Sequence, residues 1–343
     1  MNVSKQPELI TEKTVDTVFE EMMIRKRKLR VATKMNYNYL YYHFISPEIG
    51  KYRVDEVDRG IVNGLFESLL ARFSYGTVKL LSNITNQIFR LALDQELISR
   101  NPANGVIEEL QNKNDLIPTK RTAMYTWEQQ EFMRFVKSNQ YYSKYYDLFV
   151  IFLGTGGRAA EILGLTWKDI DLVNGLISIN HNLIYIKDLD GRFRFKCGPT
   201  KTPSSIRMIP MFGEVREALL RVRAYNEAKG FESVSIDGYS DFIFLNRNGN
   251  PHHPCEINRV MKKIIEAYND GSAAQIRPFS VHSFRHTFAT NLCMNESNLK
   301  LIQSVMGHSN INITMNVYAE CRQEELKRMA ERLEGTIMIG NKE

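Results

Sequence analysis

Four short stretches of this chain place arginine, lysine, histidine and tyrosine where they could act on a phosphate. In "GTGGRAAEILGLTW", Arg158 follows two glycines and Glu161 lies one helical turn further on the same face. An arginine near a helix N-terminus, steadied by a carboxylate, suits a bound phosphate, although the same spacing also makes an ordinary ion pair at a helix start. In "GPTKTPSSIRMIPM", Lys201 stands where a strand gives way to a Pro/Ser-rich turn. It is either a solvated loop lysine or one carried into a groove to donate a proton. In "VHSFRHTFATNL", His282 and Arg285 share one helical face, while Phe284, Phe288 and Leu292 recur at core spacing along another and His286 reads as structural. In "MGHSNINITMNVYAE", Gly307 ends a helix before His308, Asn310 is placed to cap the next one, and Tyr318 lies near it. A tyrosine with a pKa near 10 is a poor nucleophile unless a base or cations assist it. Taken alone, Tyr318 is one more aromatic in a chain with 16 tyrosines.

Other apparent sites carry less. "PHHPCEINR" groups His252, His253 and Cys255, but no second ligand pair follows at zinc-site spacing, and Pro254 is better read as opening a helix. No metal site is expected. There is no GxxxxGK[ST] loop and no HExxH, so ATP hydrolysis and zinc proteolysis lack support.

The elements that must position these residues fall into two units. From 12 to 105 the apolar spacing is helical: Val15, Phe19, Met22 and Met23 share one helix, then Tyr37, Leu40, Tyr41 and Phe44 a second that stops near Pro47 and Gly50, and two more follow. Residues 106–122 are polar, hold Pro118, and read as a linker. Helix resumes at "TWEQQEFMRFV", where Thr126 and Gln129 have capping-box spacing. "GLISINHNLIYIKD", "GRFRFKCG" and "SSIRMIPM" then alternate with period 2, which predicts a small three-stranded antiparallel sheet inside an otherwise helical unit. The expected fold is mainly α (α+β). A chain of 343 residues with 43% hydrophobic and 24% charged residues is an ordinary globular one, and a net charge of +6 is compatible with a polyanionic partner. The four cysteines form no CxxC pair and read as reduced thiols; no signal peptide or membrane span is legible. A cytoplasmic location follows as an expectation.

In this order and spacing, "GGRAAEILGLTW", "TKT", "HSFRHTFAT" and "MGHSNINITMNVYA" resemble the boxes of the tyrosine recombinase (phage integrase) family. The resemblance implies a helical core-binding domain at 12–105, a catalytic domain at 123–335 and a tail at 336–343. It implies that Arg158 and Arg285 grip the non-bridging oxygens of a scissile phosphate and that Lys201 protonates the leaving 5′ oxygen. His282 and His308 would assist proton transfer, Tyr318 would be the nucleophile, and Glu161 would take an acidic place behind the pocket. Bidentate guanidinium groups suit a pentacoordinate phosphorus. A covalent 3′-phosphotyrosine would conserve bond energy, so no cofactor, ATP or metal is expected.

The implied partner is double-stranded DNA carrying specific recombination sites, clamped between the two units. Arg25, Lys26, Arg27, Lys28, Arg30 and Lys34 would touch phosphates from the first. The recombining unit of the family is a homotetramer; Ile337–Ile339 are expected to dock on a neighbouring protomer, and an accessory excision factor is possible. The nearest flavour is the integrase of conjugative transposons and temperate phages of Gram-positive bacteria. Many of those carry an arm-site domain ahead of the core-binding helices, which this sequence either lacks or has lost by truncation. A type IB topoisomerase and a non-catalytic DNA-binding regulator are the competing readings.

Overall fold

The computed structural model describes residues 12–113, 123–187, 191–200 and 203–319. The chain divides into two compact units, Met1–Lys120 and Arg121–Glu343. In the first, α1 (Val15–Arg25), α2 (Val31–Leu40), α3 (Arg59–Leu70), α4 (Tyr75–Asp94) and α5 (Val106–Lys113) enclose one apolar core. Helix α1 starts at Thr14, whose hydroxyl accepts from the Thr17 N–H at 3.3 Å, and it buries Val15, Val18, Phe19 and Met22. Phe19 stacks on Tyr41 with ring centroids 3.6 Å apart, and the Tyr41 hydroxyl donates to Asp16 at 2.6 Å.

In this unit one expectation is refined and one changes. The second helix ends at Gly50 as expected, but beyond Leu40 it widens into a π-type stretch, Tyr41–Gly50, with Pro47 inside it. Tyr41, Ile45 and Ile49 recur every four residues and are buried there, and that burial outweighs the one backbone bond proline forfeits. Residues 106–113 are not linker but helix α5, because Val106, Ile107 and Leu110 form an apolar face buried in the core. Residues 114–122 lie outside the described residues.

The second unit runs α6 (Thr126–Ser138), α7 (Tyr146–Thr155), α8 (Ala159–Ile162), β1 (Ile170–Asp171), β2 (Leu176–Ile179), β3 (His181–Lys187), β4 (Phe193–Pro199), β5 (Arg207–Pro210), α9 (Gly213–Lys229), α10 (Pro254–Asp270), α11 (Val281–Asn295) and α12 (Leu299–Met306). A further helical stretch covers 311–319. The cap of α6 is one residue earlier than the spacing suggests: Tyr125 N–H donates to Glu128 at 2.9 Å. Glu128 is fixed in turn by Arg277 at 2.7 Å, whose guanidinium lies 3.9 Å from the Tyr125 ring centroid, so a distant pair sets the frame of the helix start.

The small three-stranded antiparallel sheet is present, ordered β1-β2-β5, with Ile177 opposite both Ile170 and Ile209. Its strands are not the expected set. "GLISINHNLIYIKD" breaks at Asn180, whose amide donates to Asp169 at 2.9 Å and Ser178 at 3.0 Å. After that break β3 pairs with β4 as a separate two-stranded ribbon, from His181↔Pro199 to Lys187↔Phe193, so "GRFRFKCG" never joins the sheet. The core centres on Phe284, whose ring lies 5.5 Å from Phe149, 6.0 Å from Phe132 and Phe279, and 6.1 Å from Phe152. Burying one such ring contributes about 1.5–3 kcal/mol, and it pins α11 against α6 and α7 with Arg285 as the next residue.

Candidate active site

Helix α7 ends at Gly156 with φ 59°, and a Cβ there would stand 2.3 Å from the Phe288 ring, so only glycine fits. The turn that follows delivers Arg158 to the start of α8. Glu161 reaches back from α8, accepting from the Arg158 backbone N–H at 2.9 Å and from Arg158 Nη1 at 2.7 Å. Its other neighbour is unexpected: Arg207 Nη2 donates to Glu161 Oε2 at 2.9 Å.

These arginines converge on the C-terminal end of α12, which closes at Gly307 with φ 63°. The last turn of a helix leaves its carbonyls without helical partners. Here Arg207 Nε donates to the Val305 carbonyl at 2.8 Å, Arg285 Nη2 to Met306 at 2.5 Å, and Arg158 Nη2 to Gly307 at 3.2 Å. Arg285 Nη1 also donates to the Gly156 carbonyl at 2.8 Å, joining the ends of α7 and α12. Cations at a helix C-terminus are favoured by its dipole.

Two guanidinium groups, Arg158 and Arg207, therefore meet one carboxylate, with Arg285 held beside them by the Gly156 and Met306 carbonyls. Burial pushes Glu161 up, but the Arg207 bond and the charges of Arg207 and Arg158 outweigh it and hold the carboxyl below its usual range. Burial, then the charges of Arg158 and Arg207, push Arg285 down to about 9, which leaves it protonated at neutral pH. His308 follows directly on Gly307, and its Nδ1 pairs with Thr314 Oγ1 at 2.9 Å. Burial, followed by the Arg285, Arg158 and Arg207 charges, pushes the imidazole down to about 4, so it is neutral at physiological pH. The arrangement is a partly desolvated cationic receptor with a neutral imidazole at its rim, chemically suited to a phosphodiester anion.

Of the residues singled out in the sequence, Arg158, Glu161, Arg285 and His308 are brought together. His282 sits one turn before Arg285 on α11, its ring 5.1 Å from that of His286. Tyr318 lies on the 311–319 helix, half-buried, one turn beyond Thr314, and packs against the Phe288, Ala289, Cys293, Ile302 and Met306 cluster. Asn310 caps that helix, accepting from the Asn312 N–H at 2.9 Å. Lys201, Cys321 and Ile337–Ile339 lie outside the described residues. In the first unit, Arg25, Arg27, Lys28 and Arg30 are exposed, Lys34 is half-buried, and Lys26 Nζ lies 5.9 Å from the Tyr37 ring centroid.

Two site residues escape the sequence reading, Arg207 and Thr314. Arg207 has a legible signal: strand alternation puts it in phase with the fully buried Ile209, and an arginine on an inward face needs a partner. The decoy resolves locally, with His253 capping α10 ahead of Pro254 and Cys255 exposed. Among the described residues, no cluster of His, Cys, Asp and Glu is grouped to hold a metal ion, and no helix is long and apolar enough to cross a membrane.

The model of the phage integrase family matches residues 123–325. The transposase from transposon Tn916 of Enterococcus faecalis is 33% identical over 261 residues, which is 75% of this chain and 62% of that transposase. This chain thus spans about three fifths of the length of that curated relative. The Tn1549 transposon integrase, solved in complex with a circular intermediate DNA, superposes with TM-score 0.81 at 28% identity, covering 92% of this chain and 99% of that one. A lambda integrase dimer bound to a core site shares the fold, with TM-score 0.62 at 15% identity over 89% of this chain and 95% of that one. With a family model spanning more than half of its residues, the chain belongs to the phage integrase family, the tyrosine recombinases.

Proposed function

We propose that this chain is the integrase of a conjugative transposon or related mobile element, cutting and rejoining double-stranded DNA at specific sites. The observation that carries this reading is the receptor itself: Arg158 and Arg285, fixed through the ends of α7, α8 and α12, gather positive charge beside His308. The non-bridging oxygens of a phosphodiester complement those guanidinium groups, whose electrostatic support grows as charge develops on the pentacoordinate phosphorus. The Tyr318 oxygen attacks the phosphorus, the P–O5′ bond breaks, and the leaving oxygen takes a proton, for which Lys201 is the candidate donor. His308 and His282 assist the proton transfers. A seated phosphate offsets the arginine charges, so His308 binds a proton more readily in the complex than in the free protein. The resulting 3′-phosphotyrosine is resolved by a second strand's 5′-hydroxyl in the reverse chemistry, without ATP or metal.

The Tn1549 transposon integrase, solved with circular intermediate DNA and with transposon right end DNA, supports DNA as the partner. The exposed basic turn from Arg25 to Arg30, with Lys34, supplies phosphate contacts from the first unit. Assembly as a tetramer on paired sites, and docking of Ile337–Ile339 in trans, belong to the same proposal. The test is a nicked suicide duplex taken from the joined ends of the encoding element. The wild-type protein should form a detergent-stable adduct in the presence of EDTA, and Tyr318→Phe should bind the duplex equally well and form none. Binding without any adduct from the wild type, or an adduct from Tyr318→Phe, refutes the reading.

A further inference from the structure

We propose that Arg207 is a positioning residue for strand cleavage, locking the Arg158 guanidinium and the Gly307–His308 turn into one unit through Glu161 and the Val305 carbonyl. The inference rests on the recombinase reading and deepens it. Arg207 is not placed to touch DNA: its side chain is 3% exposed, and all three guanidinium nitrogens are spent inward. Nε donates to Val305 at 2.8 Å, Nη1 to the Ser205 carbonyl at 3.0 Å and Nη2 to Glu161 at 2.9 Å. Ser205 closes the turn that follows Lys201, so one planar group ties that turn to Glu161 and to the end of α12.

The geometry runs onward from each anchor. Glu161 orients Arg158 through a 2.7 Å bond, and Arg158 reaches the Gly307 carbonyl at 3.2 Å. A Cβ on Gly307 would come within 3.0 Å of Arg207 Cδ and Nη1, so the arginine stem also forms the floor on which the left-handed turn before His308 rests. Arg207 is moreover among the charges that hold His308 neutral. A merely structural arginine would need only the Glu161 contact; this one also bonds the Ser205 turn and the end of α12.

The experiment is single-turnover cleavage of the nicked suicide duplex by the full chain, comparing wild type with Arg207→Gln and Arg207→Lys across pH. The final adduct yield reports the folded fraction, and the rate constant reports positioning. Loss of angstrom-scale positioning should slow both variants about 10- to 100-fold at an unchanged duplex affinity. The acid limb of the rate profile should move to higher pH in Arg207→Gln, which loses the charge, and stay in place in Arg207→Lys, which keeps it. If Arg207→Gln does not fold, Arg207→Lys decides by its rate constant alone. A lowered yield with a wild-type rate constant, or an unmoved acid limb in a folded Arg207→Gln, overturns the proposal. If the wild type forms no adduct, the recombinase reading falls and takes this proposal with it; an active wild type matched by both variants sinks this proposal alone.

Discussion

Protonating His308 should cost the folded protein measurable stability. On folding, the imidazole moves from its ordinary 6.5 to about 4, because it is buried among the Arg285, Arg158 and Arg207 charges. A base with a depressed folded value favours the native state fully above the unfolded value, and that stability is lost as the pH falls from 6.5 toward 4. At about 1.4 kcal/mol per pH unit the whole window is worth about 3 kcal/mol. Stopping at about pH 5, and allowing for the screened outer edge of the ring, leaves about 1–2 kcal/mol. That limit also keeps most carboxyl titration out of the window, including that of Glu161, held below 4.5. The assay is urea unfolding of the second unit's transition in the full chain at about pH 7.5 and about pH 5, for wild type and for His308→Gln. The glutamine amide of that variant can still bond Thr314 but cannot titrate, so groups common to both proteins cancel in the double difference. The wild type should lose about 1–2 kcal/mol more than the variant. Equal losses would mean that the arginine cluster does not act on His308, and the electrostatic account of the pocket would fail with it.

Three further outcomes follow from the same geometry. Glu161→Gln should destabilise the second unit by about 2–4 kcal/mol in denaturant melts, since it leaves the buried Arg207 cation without its counter-ion. Gly307→Ala should cost about 1–3 kcal/mol from the left-handed backbone and, by pressing on Arg207, should lower the cleavage rate constant more than duplex affinity, as gel-shift and single-turnover measurements would show. In a Cys321→Ser background, a disulfide exchange reagent should label the exposed Cys255 well before Cys197, whose thiol burial pushes up to about 12.

Much of the fold is legible because its helices are amphipathic at regular spacing: the buried face of α1 and the Phe284–Phe288 stripe of α11 can be read directly. What escapes depends on partners far along the chain. The cap of α6 is set by Arg277, the break between β2 and β3 by the reach of Asn180 to Asp169, and the depth of α5 by a core assembled from four other helices. At the site, the residues with recognisable spacing can be found from the sequence, whereas Arg207 offers a single faint signal. Its partners Glu161 and Val305 lie 46 and 98 positions away, and no local pattern announces a bond of that span. Its inward phase on β5 is the available hint, and a short strand dominated by Ile and Met hides it.

The bond between His308 and Thr314 ties the imidazole to the helix that carries Tyr318, the nucleophile of the proposed reaction. Thr314 is buried one helical turn ahead of Tyr318, on the same side of the 311–319 helix. Any shift that carries Tyr318 by a turn must pull Thr314 from the imidazole, so proton carrier and hydroxyl change state together. Such a linkage works as an interlock: with the tyrosine withdrawn, the anion seat guarded by the arginines stays intact but has neither attacker nor tuned histidine. Under the proposed chemistry, a chain so disengaged would keep its grip on the phosphate and lack an attacker, so cutting would be a question of timing rather than of grip.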